Sequence, residues 1–420
     1  MWAYTFGVWL YGMFLKIASG FHPKAKAWVN GRKNLLPRLQ ESLEDISGPR
    51  IWMHCASLGE FEQGRPVLEA LAETYPDHSI ILTFFSPSGY EIRKNYKGAA
   101  LVMYLPLDLP GLMRRFLDIL DPDLAFFVKY DLWLNTLKIL HSRQIPTLLI
   151  SARPRPDSAW FRWPLRSWYH DALANLSHIF VQDQAALDLL KVKVPSAKAS
   201  LSGDTRYDRV VQTRAGFSPI PEIEDFVQGR PCLVAGSIWP ADEAVLMPVL
   251  LDQLQAHPDR CAILAPHEIH ADQLDVWCAR HPDLMIRHSQ LGARKSTHRV
   301  LWIDNIGMLS RLYAYADMAY LGGAFGRGLH NILEAAVFGV PVVFGPKIEK
   351  FPEASALIAA GAGFSVQDKA ELDSLLKGWQ QDPALLQEAG KSATNFVQEQ
   401  AGATSRIMQF ITEAEILRLV

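Results

Sequence analysis

From residue 50 onward, short uninterrupted apolar runs alternate with longer stretches whose apolar positions recur every three or four residues. Six runs read as strands: Arg50–His54, Ser79–Phe85, Ala100–Tyr104, Leu124–Lys129, Thr147–Ser151 and His178–Gln182. A second series comprises Pro231–Ala235, Cys261–Ala265, Arg299–Ile303, Met318–Leu321 and Val340–Phe344. Runs apolar on both faces, separated by helical patterns, predict parallel strands covered by helices on both sides. Between the two series, Thr213–Glu222 (TRAGFSPIPE) has two prolines and no helical period, and reads as a linker. The pattern therefore predicts two doubly wound α/β domains with a cleft between them. Ligands of such sheets bind outside the carboxyl ends of the strands, which directs attention to the residues after each run.

The first forty residues depart from this pattern. Residues 1–15 (MWAYTFGVWLYGMFL) carry no charge and are rich in aromatics. Lys16, Lys24, Lys26, Arg32, Lys33 and Arg38 follow, with no acid before Glu41. The apolar run is shorter than the roughly 20 residues that span a bilayer. Aromatics followed by cations suit a helix lying on, or dipping into, an anionic membrane face; the alternative is a first helix packed on its own domain. A secretory signal fits poorly, because its basic residues precede the apolar run. Elsewhere composition adds exclusions. With 420 residues and a net charge of −2, the chain has the size of two ordinary domains and no global attraction to nucleic acid. Any anion site must be local. The cysteines Cys55, Cys232, Cys261 and Cys278 form no C-x-x-C pair and no zinc spacing, and free thiols suit a reducing cytoplasm.

Three stretches after predicted strands carry candidate chemistry. His54-Cys55-Ala56-Ser57-Leu58-Gly59-Glu60 places Glu60 at the start of a helix. A carboxylate there can take a proton from a sugar hydroxyl, or it is a first-turn acid favoured by the helix dipole. Gly322-Gly323-Ala324-Phe325-Gly326-Arg327-Gly328-Leu329-His330 leads into a helix predicted near Asn331, with Glu334 one turn inside. Such a turn admits a phosphate at a helix N-terminus and a ribose at Glu334, or is a tight structural turn. Ile303-Asp304-Asn305-Ile306-Gly307-Met308-Leu309 repeats the strand-to-helix arrangement. Trp163, Trp168 and Trp239 read as core or rim residues, and His330 as a turn residue near the cleft.

Together these residues resemble the bacterial 3-deoxy-D-manno-octulosonic acid (Kdo) transferases of lipid A biosynthesis. His54–Glu60 followed by Phe61-Glu62-Gln63-Gly64-Arg65-Pro66 resembles the family's H-x-x-S-x-G-E-x-x-x-x-x-P signature. Gly203-Asp204-Thr205-Arg206-Tyr207-Asp208, Gly236-Ser237-Ile238-Trp239 with Asp242-Glu243, and Asn331-Ile332-Leu333-Glu334 leading to Phe344-Gly345-Pro346 extend the likeness from about residue 30 to 400. The resemblance implies the GT-B architecture, an α/β fold of two Rossmann-like doubly wound domains facing a central cleft. It implies catalysis without a metal or other cofactor, a CMP-Kdo donor, a lipid A precursor of the lipid IVA type as acceptor, and a place at the cytoplasmic face of the inner membrane. Glu60 then matches the proton acceptor and Arg206 a cation that stabilises transition-state charge. Pro266-His267, Ile306-Gly307-Met308 and Asn331-Ile332-Leu333-Glu334 match three segments that contact CMP. Two positions depart from the pattern. Pro266-His267-Glu268 replaces a more usual Pro-Arg-His, removing one cation near the nucleotide. Lys129-Tyr130-Asp131-Leu132-Trp133 replaces a more usual Glu-x-Glu-Leu-Trp, so the second acidic group is Asp131 or absent.

The organisation that follows is a membrane-associating segment at 1–30, an acceptor domain at 31–212, the linker at 213–222 and a CMP-sugar domain at 223–400. Residues 401–420 form a C-terminal helix available to pack on the first domain. The competing readings are another GT-B enzyme using a UDP-sugar, either a transferase or a sugar-nucleotide epimerase, and a two-domain binding protein without chemistry.

Overall fold

The computed structural model describes residues 1–292 and 297–417. Their contacts divide the chain into two compact units, Met1–Arg209 with Ala401–Val420, and Val210–Gln400. Each is built on one seven-stranded sheet in which every strand pair is parallel. Two Rossmann-like doubly wound units of this kind are the constituents of the GT-B architecture.

Unit 1 contains β1 (Arg50–Cys55), β2 (Ser79–Phe84), β3 (Leu101–Tyr104), β4 (Leu124–Val128), β5 (Thr147–Ala152), β6 (His178–Val181) and β7 (Ala199–Leu201). Their order is β3-β2-β1-β4-β5-β6-β7. The strand order reverses between β1 and β4, and a ligand crevice opens at such a reversal. Alternate residues of the strands feed two separate cores. Trp52, Ile81, Phe127 and Leu149 pack on one face, while Ile51, Met53, Leu82, Phe126 and Ile150 pack on the other. The helix Ala403–Glu413 completes the second face, with Ile407 and Ile411 fully buried. Asp208 holds the start of that helix, accepting from the Gly402 N–H at 2.5 Å and the Thr404 N–H at 2.6 Å.

Unit 2 contains β8 (Cys232–Ile238), β9 (Cys261–Pro266), β10 (Met285–Arg287), β11 (Val300–Trp302), β12 (Met318–Leu321), β13 (Val342–Phe344) and β14 (Gly363–Ser365). Their order is β10-β11-β9-β8-β12-β13-β14, with the reversal between β8 and β12.

Two sequence expectations differ from the structure. Thr213–Ala215 are the last residues of a helix, Thr205–Ala215, and Pro221 opens the next, Pro221–Val227. Only residues 216–220 of the supposed linker lie outside helices. The series of strands also missed β7, β10 and β14, three residues each, all at sheet edges. An edge strand is covered by fewer neighbours and needs no long apolar run.

The first helix, Trp2–Ala18, has two faces. Gly12 is buried against Leu107, and the Tyr4 hydroxyl donates to the buried Asp108 at 2.7 Å. The opposite face leaves Trp2, Phe6, Trp9, Phe14 and Ile17 exposed, and Phe21 beyond it is 91% exposed. Both readings of this segment, packed helix and membrane-facing helix, thus have a face of their own. Among the described residues no helix is long and apolar enough to cross a membrane.

Candidate functional site

In unit 1 the side chains with chemistry gather at the carboxyl ends of β1 and β4. Parallel register sets His54 beside Thr83 of β2 and Phe127 of β4. His54 is fully buried. Its Nδ1 lies 2.8 Å from Thr83 Oγ1, and its Nε2 lies 2.7 Å from Asp131 Oδ2. The Trp52 indole donates to Thr83 Oγ1 at 2.8 Å. One proton arrangement satisfies every atom: Thr83 O–H donates to Nδ1, and Nε2–H donates to the Asp131 carboxylate. The Trp133 indole donates to the same carboxylate oxygen at 2.9 Å. Asp131 is therefore fixed from two sides.

The loop carrying Asp131 is held from below. Asp108 accepts from the backbone N–H of Asn135 at 2.9 Å and Thr136 at 2.8 Å, capping the helix Leu134–Ser142 that follows Trp133. Burial pushes the Asp108 carboxyl up, and its hydrogen bonds from Thr136, Tyr4 and Asn135 oppose this. The first helix thus reaches the site through Tyr4, Asp108 and Trp133.

Glu60 lies in the first turn of the helix Leu58–Thr74 and is partly buried. Ser57, at the N-cap, donates its hydroxyl to Glu60 Oε2 at 2.8 Å. Burial pushes the Glu60 carboxyl above its ordinary 4.5; Ser57 opposes the shift, Asp131 adds to it, and His54 opposes it. A half-buried carboxylate with a raised pKa is a better proton acceptor than an ordinary one. Glu60 is also a first-turn acid, the position that the helix dipole favours for a carboxylate.

Arg206 opens the helix after β7 and is anchored on Asp204, with Nε at 2.9 Å and Nη2 at 2.7 Å from Oδ2. The neighbouring Thr205 hydroxyl donates to the Gln63 carbonyl at 2.6 Å and meets Ser151 Oγ at 2.8 Å. This ties the Arg206 loop to the Glu60 helix and to β5. Ser151 sits at φ 55 where the β5–β6 register shifts, and Lys129 at φ 66 just past β4. Left-handed backbone at residues with side chains costs of order 1–3 kcal/mol and concentrates at functional sites.

In unit 2 the equivalent reversal, between β8 and β12, carries the glycine-rich turn. A Cβ at Gly322 would strike the Ser237 backbone, and Gly323 adopts φ 99. The buried Asp242 accepts from the backbone N–H of Gly323 and Trp239, both at 2.9 Å, and from the Tyr320 hydroxyl at 3.2 Å. Every partner donates, and an ionised carboxylate, which only accepts, satisfies all three. Burial still pushes its pKa up against those hydrogen bonds. The turn borders a cavity of about 520 Å³ lined by Trp239, Glu243, Pro266, His270 and Arg327, among others. His267 stacks between Trp239, at 4.2 Å, and His330, at 4.4 Å, and the Arg327 guanidinium lies 5.2 Å from the Trp239 ring. Burial and the facing His267 hold His330 below the usual histidine range. Trp239 is thus a wall of the cavity.

Of the candidate residues, Glu60 and Asp131 come together with His54, and Pro266-His267 meets the glycine-rich turn. Glu334 lies close enough to Tyr313 for its charge to act on that hydroxyl, and its Oε1 accepts from Asn331 Nδ2 at 3.1 Å. Ile332 and Leu333 are buried beneath them. Ile306 is 93% exposed, Gly307 sits at φ 99 and Met308 is buried. One expectation fails: the helix predicted near Asn331 starts at Leu333 and is a single turn, Leu333–Ala336, as is Leu309–Leu312 after Met308. Glu334 is the second residue of its helix rather than one turn inside, and so few aligned peptides make a weak macrodipole. Sequence reasoning passed over Thr83, and quoted Trp133 and Asp242 only as members of motifs without their partners, because strand register and the pairing of loops are not written in local patterns.

Residues 29–209 match the family described as 3-Deoxy-D-manno-octulosonic-acid transferase (kdotransferase). The chain is 25% identical over 374 residues to the 3-deoxy-D-manno-octulosonic acid transferase of Haemophilus influenzae, covering 86% of each. It is 28% identical over 387 residues to that of Bordetella pertussis, covering 86% of this chain and 87% of the other. Among solved structures, UDP-GlcNAc 2-epimerase from Neisseria meningitidis, bound to UDP-GlcNAc, matches with a TM-score of 0.63 and 13% identity. That match covers 87% of this chain and 100% of the other, and it is a likeness of fold. The relatives are matched over most of both lengths, and the chain is similar to the 3-deoxy-D-manno-octulosonic-acid transferases.

Proposed function

We propose that the protein transfers Kdo from CMP-Kdo to a lipid A precursor of the lipid IVA type, inverting the anomeric centre, in lipopolysaccharide core synthesis. The observation that carries this reading is Glu60, half-buried, held by Ser57, and set beside the His54–Asp131 pair at the strand reversal of unit 1. Glu60 takes the proton of the acceptor hydroxyl as its oxygen bonds to the anomeric carbon. The bond from that carbon to the CMP phosphate oxygen breaks, and CMP leaves with the electron pair. Asp131 is engaged by His54 and Trp133, so it positions and polarises rather than accepting the proton. Arg206 pairs with the donor's carboxylate or phosphate.

Glu60 accepts a proton only when ionised, so activity falls as pH drops through its raised pKa. The acid limb of kcat/KM is expected above the ordinary 4.5. Ser57→Ala removes a hydrogen bond that favours the charged form, and should move this limb to higher pH. A limb that stays still or moves down would assign the ionisation to another group.

Pro266, His267, Ile306, Gly307, Met308 and Asn331–Glu334 are proposed to hold CMP, with Glu334 accepting from the ribose hydroxyls. Glu334→Ala should weaken CMP binding about tenfold or more in a calorimetric titration, the size of a lost charge-assisted hydrogen bond. An unchanged Kd would place the nucleotide elsewhere.

The exposed aromatic face of the first helix is proposed to rest on the cytoplasmic face of the inner membrane, where the acceptor lies. Because the other face of this helix is packed through Tyr4 and Gly12, point changes test the idea better than truncation. Trp2→Ser, Phe6→Ser and Phe14→Ser together should abolish flotation with anionic vesicles while leaving the melting temperature unchanged. Retained flotation would rule the face out.

A further inference from the structure

The helix Leu134–Ser142, which follows the Asp131 loop, has Trp133 as its N-cap residue. An indole has an N–H and no acceptor, so it cannot take the free N–H groups of the first turn as Ser, Thr, Asp or Asn would. Two distant segments take them instead. Asp108, after β3, accepts from the Asn135 N–H with Oδ2, and from both the N–H and the hydroxyl of Thr136 with Oδ1. Tyr4, on the first helix, donates its hydroxyl to Asp108 Oδ2 at 2.7 Å and accepts from the Leu134 N–H at 3.4 Å. The adjacent Thr5 hydroxyl accepts from Asn135 Nδ2 at 3.2 Å. Asp108 is fully buried and all four of these partners donate to it, which suits an ionised carboxylate. Burial, and then the charge of Asp108, push the Tyr4 hydroxyl far above the usual phenol range, so it keeps its proton as the donor. With the cap supplied from outside, the Trp133 indole is left to the site. Its N–H lies 2.9 Å from Asp131 Oδ2, the same oxygen that His54 Nε2 meets at 2.7 Å, and its ring packs on Phe85 with centroids 4.6 Å apart.

We propose that Tyr4 is a positioning residue for the transfer. With Asp108 it fixes the first turn of the helix Leu134–Ser142, that turn fixes the Trp133 indole, and the indole holds the Asp131 carboxylate in place. The first helix then has two separate duties. Its exposed aromatic face meets the membrane, and its buried face, through one hydroxyl, forms part of the catalytic unit. A tether alone would need only the first. Small displacements of groups at a reacting centre are costly even when they start from a residue far from the chemistry. The proposal rests on the Glu60 and Asp131 centre being the place of transfer, as proposed above.

The test uses Tyr4→Phe in the full-length protein, a change that removes one oxygen and keeps the ring. Its kcat on a detergent-dispersed acceptor, measured well below the melting temperature, should fall roughly 3- to 10-fold. The KM for CMP-Kdo and flotation with anionic vesicles should not move, because the exposed face of the helix is untouched. Trp133→Phe should lower kcat at least as much, and Tyr4→Phe added to it should cost nothing further, since both act along one chain of contacts. An activity-free readout accompanies the kinetics. In protein isotope-labelled at the tryptophan nitrogens, the Trp133 indole signal, identified by its loss in Trp133→Phe, should shift in Tyr4→Phe with no substrate present. An unchanged kcat, an effect that simply adds to that of Trp133→Phe, or an indole signal that stays still would each overturn the proposal. So would a loss confined to vesicle-embedded acceptor together with lost flotation, which would make the first helix a tether only. A shifted indole and a lowered kcat in Tyr4→Phe, beside a Glu60→Gln variant that keeps its rate, would uphold the positioning role and place the error in the choice of base.

Discussion

Glu60→Gln is expected to lower the rate of transfer by about 10²-fold or more while CMP binds as before, because removing a positioned general base ordinarily costs about 10²–10⁴. Glutamine keeps the shape of the side chain and can still accept from Ser57 Oγ, which lies 2.8 Å from the carboxylate. What it loses is the ability to take a proton. If Glu60 were merely a first-turn acid at the helix dipole, the same change would cost a few tenths of a kcal/mol in stability and leave the rate intact. Single-turnover measurement at saturating donor distinguishes the two. A variant retaining more than about a tenth of the wild-type rate would mean that Glu60 is not the base. Asp131→Asn should cost less than Glu60→Gln, because Asp131 acts through His54 and Trp133, at 2.7 and 2.9 Å.

The second large effect is expected at Asp242, in unit 2. Its carboxylate gathers the N–H groups of Trp239 and Gly323 and the hydroxyl of Tyr320 inside the protein. Asp242→Ala strands three donors at once, two of them in buried hydrogen bonds, and each unsatisfied buried group costs about 1–3 kcal/mol. A loss of about 3 kcal/mol or more should appear as earlier melting of unit 2 in calorimetry. The glycine-rich turn would lose its anchor at Gly323, so CMP affinity should fall in the same variant. Asp242→Asn, which retains acceptor oxygen but adds donors, should be intermediate. Unchanged melting and unchanged CMP binding in Asp242→Ala would show that the turn holds its shape without this carboxylate.

The strands at the centre of each sheet were legible because they are buried on both faces. Leu124–Val128 and Thr147–Ala152 are apolar almost throughout, and nothing but a buried parallel strand needs that in so few residues. The edge strands Ala199–Leu201, Met285–Arg287 and Gly363–Ser365 carry weaker patterns and were invisible. Glu60 was legible as a candidate because Ser57 and Gly59 mark a strand-to-helix turn. Its raised pKa was not, since that depends on burial and on Asp131, brought in from β4. The partnership of His54 with Thr83 follows from the register of β1 on β2, a property of two distant segments. The glycine-rich turn was legible as a turn, but its support by Asp242, eighty-one residues earlier in the chain, was not. The short helices after Met308 and Ile332 have a physical cause. Both sequences have helical propensity, but the second passes through its cap at Val337 into a turn closed by Gly339 at φ 78, and the first passes into the 3₁₀ turn Tyr313–Tyr315.

The measurement closest to the central claim is an assay of the purified protein with CMP-Kdo and a detergent-dispersed lipid A precursor, its products read by mass and the released nucleotide identified. The predicted result is acceptor heavier by one or more Kdo residues, with an equivalent amount of CMP set free. Consumption of a UDP-sugar with no reaction of CMP-Kdo, or release of CMP with acceptor mass unchanged, would contradict the account.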